Sequence, residues 1–145
     1  MHHSAPTLEI TVVWVDSDLQ EVVVSISSKD FAGRVNLYAG PSELIKLAEE
    51  LRGFPRSADD RREYQLGQDN LAGYGTARLL FFCKDSTGHV IAQAELCANP
   101  HEAKIGAESS VVHVVAVPSD IDRFERELRS ISNHVGASAA LKSAA

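Results

Sequence analysis

The chain has 145 residues, 44% apolar and 23% charged, with 14 Lys and Arg against 20 Asp and Glu for a net charge of −6. That length suits one domain burying roughly two-thirds of the surface its unfolded form exposes, and the apolar content excludes wholesale disorder. The acidic balance opposes nucleic acid and anionic membranes, which are bound through cationic side chains, and the longest apolar runs fall far short of a bilayer span.

The opening Met1-His2-His3-Ser4-Ala5-Pro6 lacks the basic and apolar regions of a secretory signal, so a cytoplasmic location is expected. Leu8, Ile10, Val12 and Trp14 alternate with Glu9, Thr11, Val13 and Val15, predicting a first strand. Asp16-Ser17-Asp18 supplies a turn, because Asp and Ser side chains bond nearby backbone amides. Val22, Val24 and Ile26 mark an antiparallel second strand, Phe31-Ala32-Gly33 a reversal, and Arg34 to Ala39 a third strand. Gly40 and Pro41 break it. Leu44, Leu47, Ala48 and Leu51 then form the apolar stripe of a helix over about 41–52, ended by Gly53 and Pro55. The charged run Arg56 to Glu63 reads as a mobile surface loop, followed by a strand at Glu63 to Leu66 and a bend at Gly67, Gly73 and Gly75.

Ala77 to Cys97 is a β-hairpin turning at Asp85 to Gly88, which places Cys83 opposite Val90 and Cys97 opposite Thr76. The two sulfurs then lie roughly 23 Å apart along the ladder, against the ~7 Å between Cα atoms that a disulfide tolerates, so both thiols are expected free. After a loop around Asn99 to Ser109, the run Ser110 to Val117 is apolar on both faces and reads as a central strand. Pro118 stops it. Ser119, with Asp122, caps a helix over about 119–132 whose stripe is Ile121, Phe124, Leu128 and Ile131. Residues 1–132 thus form one domain, and the Ala/Ser-rich 133–145 reads as a frayed or disordered tail. No internal repeat is evident. The fold class is α+β: a mainly antiparallel sheet or sandwich of six to seven strands with two amphipathic helices.

Candidate chemistry fails on spacing. Cys83, His89, Cys97 and His101 are too scattered for a closed zinc site, which sets cysteines two to four residues apart. Cys83 with His89 or His113 lacks any feature that would lower a thiol pKa. Asp16-x-Asp18 lacks the ligand series of a calcium loop, and Gly67, Gly73 and Gly75 precede no helix. Arg56, Arg61 and Arg62, interleaved with Asp59 and Asp60, read as a solvated loop. No catalytic, cofactor-binding or metal-ligating residue is assigned.

The helix Ser42 to Arg52, the apolar strand before Asp85, the Asp-x-x-Gly-His-Val turn of Asp85 to Val90, the alternating strand after it and the late amphipathic helix form a succession over residues 8 to 132. It resembles small acidic immunity-type proteins that accompany bacterial polymorphic or contact-dependent toxins. The resemblance implies a non-catalytic protein-binding domain that neutralises a basic toxin by covering its active site. Asp16, Asp18, Glu21 and Asp30, with Asp85 and His89 on the exposed turn, are the partner-binding residues expected. Two other readings stand beside it. One is a small-ligand domain or enzyme with His89, His113 or Arg78 converging in a pocket between sheet and helices; the other is a homo-oligomeric accessory domain.

Overall fold

A computed structural model describes residues 5–68, 74–98 and 104–143. The elements are β1 (Thr7–Val15), β2 (Gln20–Ser27), β3 (Ala32–Ala39), α1 (Glu43–Leu51), β4 (Arg61–Leu66), β5 (Thr76–Cys83), β6 (Val90–Ala98), β7 (Glu108–Ala116), α2 (Pro118–Ile131) and β8 (Ser138–Lys142). They form two antiparallel four-stranded sheets, ordered β3-β2-β1-β8 and β4-β5-β6-β7. The α+β class is borne out, with eight strands among the described residues where six to seven were expected.

Alternating residues of both sheets supply one shared core: Leu8, Ile10 and Val12, Val22, Val24 and Ile26, Leu79 and Phe81, and Ala92 and Ala94 are all essentially inaccessible. The helices lie against each other, and each leans on the strand that follows it. Leu44, Leu47 and Leu51 of α1 and Ile121, Phe124 and Leu128 of α2 close the core from that side. Burying such stripes, worth about 1.5–3 kcal/mol for each large side chain, is what holds helices of this length in place.

The order of elements repeats, although no internal repeat is evident in the sequence. Each half runs as three meandering strands, a helix and a last strand, and each last strand crosses to the other half's sheet: β4 joins β5, and β8 joins β1. One constant spacing carries Val35, Leu37 and Ala39 onto Val112, Val114 and Ala116, and Pro41-Ser42-Glu43-Leu44 onto Pro118-Ser119-Asp120-Ile121. It also carries Glu50-Leu51-Arg52 onto Glu127-Leu128-Arg129. Gly33 and Ser110 are equivalent positions under this relation. They meet each other, since a β-carbon on Gly33 would collide with the Ser110 hydroxyl. The absent side chain lets the sheets approach there.

Four local expectations change with this architecture. The tail is not frayed over 138–142: β8 pairs with β1 from Thr7–Lys142 to Thr11–Ser138, and Ala139 and Leu141 are fully buried. The Glu127 carboxylate accepts the Ala140 amide at 2.9 Å, satisfying a donor of that strand. β7 is an edge strand rather than a central one, with Val111 52% exposed. The charged run after Arg56 is held, since Arg61–Leu66 is a strand and Arg62 donates to both Asp60 oxygens at 2.8 Å. Finally, α2 is capped from Val117, whose amide donates to Asp120 Oδ2 at 3.2 Å, and Ser119 lies inside the helix.

The hairpin register is as expected, Thr76 opposite Cys97 and Cys83 opposite Val90, and both cysteines are free. Among the described residues no helix is long and apolar enough to cross a membrane.

Candidate functional site

Strands β1 and β2 pair regularly from Thr7–Ser27 to Val12–Val22, then slip at Val13, so that Trp14 faces Glu21 and Val15 faces Gln20. One extra residue in a strand shifts every later side chain to the opposite face. Trp14 therefore leaves the Leu8, Ile10, Val12 face with which simple alternation grouped it, and stands 43% exposed. The core position near the hairpin end is taken by Gln20, which is fully buried. Its amide donates to the Gly40 carbonyl and accepts from the Asn133 amide, each at 3.1 Å.

On the outer face Trp14 meets Tyr38 edge-on at 6.3 Å between ring centres, and Tyr38 meets Tyr74 at 5.4 Å. The place of Tyr74 is set by its neighbour, because any β-carbon on Gly75 would run into Val35 and the Asn36 carbonyl. The result is a row of three rings across the end of the first sheet, flanked by half-exposed Val13 and Leu19.

Acidic groups lie on the same hairpin as Trp14. Asp16 Oδ1 accepts the amides of Asp18 and Leu19 at 2.8 Å, which shapes the turn as expected. Glu21, opposite both Trp14 and Tyr38, accepts from Asn36 Nδ2 at 3.0 Å. From Val13 to Val23 the hairpin carries Asp16, Asp18 and Glu21 and no basic residue. The structure thus gathers these three expected partner-binding residues and disperses the others. Asp30 lies in the turn between β2 and β3, at the opposite end of the same sheet. Asp85 and His89 lie on the β5–β6 turn of the second sheet. There, bonds from the Thr87 hydroxyl and amide hold the Asp85 carboxyl below its usual range.

Beside the rings a pocket of about 230 Å³ opens between the ends of β3 and β4 and the start of α1, lined among others by Leu19, Tyr38, Gly40, Glu43, Gln65 and Tyr74. On its α1 side, the Tyr64 hydroxyl donates to the Glu43 carboxylate. Burial, and then that bond, push the Tyr64 phenol well above its ordinary value, so it remains a donor. A wider groove of about 650 Å³ at the far end of the same sheet is lined by Thr7, Glu9, Ser25, Ser27, Arg34 and Lys142.

Residues considered for catalysis are not brought together. Arg78 sits between Glu63 at 2.5 Å and Glu95 at 3.5 Å; His113 Nε2 meets Gln93 Oε1 at 2.9 Å; His89 Nδ1 meets Thr87 at 3.1 Å. His89 shares a small pocket with Cys83 and Asp85, and neither His113 nor Arg78 lines it. Among the described residues no three His, Cys, Asp or Glu side chains group as metal ligands, and His101 lies outside those residues.

Fold and site together define an α+β domain of two antiparallel sheets with a repeated order of elements, bearing an acidic, aromatic surface at one end of the first. No family model matches the chain, and no curated protein or solved structure matches it at a significant level.

Proposed function

We propose that this chain is a non-catalytic protein-binding domain whose docking surface is the acidic, aromatic end of the β1–β2 hairpin. The observation that carries this reading is Trp14, turned out of the core by the slip at Val13 and laid against Tyr38. Exposed Trp and Tyr residues provide large, rigid contact area, and interfaces draw most of their energy from such anchors. Asp16, Asp18 and Glu21 on the same hairpin favour a basic partner, speeding encounter more than adding affinity. In the form implied by the family resemblance, the partner is a basic toxin and the domain covers its active site. The free Cys83 and Cys97 fit a reducing compartment such as the cytoplasm.

The test is capture from a lysate of the native host, paired with protection against a toxin encoded beside the gene. Trp14→Ala should abolish capture, and Asp16→Lys with Asp18→Lys should weaken it at least tenfold, with wild-type capture falling as salt rises. A partner retained equally by all three proteins would sink the reading.

A further inference from the structure

The repeated order of elements supplies an internal control for the pocket beside the rings. At the equivalent place in the second half, Val117 stands where Gly40 is, Val115 where Tyr38 is, and Leu141 where Tyr64 is. Asp120, the counterpart of Glu43, is only 7% exposed and fully used: it accepts the Val117 amide and pairs with Arg123 at 3.2 Å. In the first half, α1 has no side-chain cap, and Glu43 instead lines the pocket with its carboxylate anchored by Tyr64. The two halves therefore share their order of elements but differ in the side chains at this one corner, and in the first half a pocket opens there.

The chemistry of the opening is specific. Its lining includes Glu43, Gln65, Gln68, Tyr38 and Tyr74, with no basic side chain among the described residues. A volume of about 230 Å³ suits one long side chain and is below the ~300–1,000 Å³ of typical small-molecule sites. We infer that the pocket opened by Gly40 receives an arginine side chain of the partner, with its guanidinium on the Glu43 carboxylate and against a tyrosine ring. A planar cation with five donors fits a carboxylate beside aromatic rings better than an ammonium does. This inference rests on the protein-binding reading and names what that surface recognises.

The experiment titrates the full-length, isotope-labelled chain with a blocked Gly-Gly-Arg-Gly-Gly peptide and with its citrulline analogue, which keeps the shape and removes the charge. The arginine peptide should produce saturable shifts at Glu43, Gln65 and Tyr74, with a dissociation constant on the order of 1 mM. The citrulline peptide should bind at least about tenfold more weakly. Gly40→Val, which copies the second half and whose β-carbon meets nothing closer than Glu43 Cγ at 3.6 Å, should abolish the shifts without unfolding the chain. Glu43→Gln, nearly isosteric, should weaken them about tenfold, and Val111→Ala, on the exposed edge of the second sheet, should leave them unchanged.

Equal binding of the two peptides, no saturation, or wild-type titrations for Gly40→Val and Glu43→Gln would overturn the inference. Protein capture separates the two claims. A partner lost on Trp14→Ala but kept by Gly40→Val leaves the docking surface standing and removes the arginine pocket; a partner kept by Trp14→Ala removes the docking surface itself.

Discussion

Trp14 reaches solvent because one residue, Val13, has no partner in the ladder. Its neighbours in sequence give no sign of this, since an alternating apolar strand and a strand that slips by one residue read alike until pairing is known. Asp16 is the opposite case, because an Asp at a turn bonds the amides just after it whatever the rest of the chain does, and here it does so. Asp60 and Arg62 also escaped the local reading. Two residues apart in a charged run, they resemble a solvated pair, yet Arg62 grips both Asp60 oxygens and reaches the Glu50 carbonyl at 2.7 Å. The bond from Arg62 lowers the Asp60 carboxyl from 3.8 to about 2. A carboxyl depressed in the folded state stabilises above its unfolded pKa, and that contribution is lost as pH falls through the folded value. Asp60→Asn should therefore cost about 1–2 kcal/mol at neutral pH, with the difference from wild type shrinking between about pH 4 and pH 2. Urea unfolding across that range measures it; a difference independent of pH would show that the pair does not act through the Asp60 charge.

Helices α1 and α2 were legible nearly to their ends, because an apolar stripe at helical spacing is a local property. Strand β8 was not. Ser138-Ala139-Ala140-Leu141-Lys142 has weak strand propensity and the composition of a loose terminus, and it becomes a strand because β1 offers an unpaired edge 127 residues away at Thr11 and Ser138. Tertiary burial of Ala139 and Leu141 outweighs that preference. Truncation after Gly136 should thus destabilise the chain by at least about 3 kcal/mol, since it removes a fully buried Leu and exposes the flank of β1. Denaturant unfolding of the truncated chain reports this directly, and stability within about 0.5 kcal/mol of wild type would mean that the strand is dispensable. Strand β7 erred in the other direction: Ser110 to Val117 is apolar on both faces yet sits at an edge, where Val111 is exposed.

The exchange of last strands ties the halves together, since each sheet is completed by the strand following the other half's helix. It also brings the ends of the described chain together, with the Ser143 amide donating to the Pro6 carbonyl at 2.8 Å. A circular permutant that joins those ends by a short Gly/Ser linker and opens the chain between Gln68 and Tyr74 keeps every strand pair. It should fold with an unchanged far-UV spectrum and a Tm within about 5 °C of wild type. Failure to fold would show that the β4–β5 connection is needed in more than its role as a tether. The arrangement also explains why the repeat hid from the sequence. The core accommodates Leu37 and Val114, or Leu47 and Phe124, at equivalent positions, so the halves share apolar spacing with few identities. At Gly40, where the second half has Val117, the first half has its pocket.

From the amino-acid sequence by itself follow the α+β class, both helices, the register of the β5–β6 hairpin and the separation of Cys83 from Cys97, because each depends on periodicity and turn chemistry within a short stretch. Only the tertiary structure decided that Trp14 faces outward, that residues 138–142 complete the first sheet, that the two halves repeat, and that Tyr74 comes to Tyr38 beside Glu43. Those outcomes depend on which distant segment satisfies an edge or fills a gap, and that choice is made by the whole core at once.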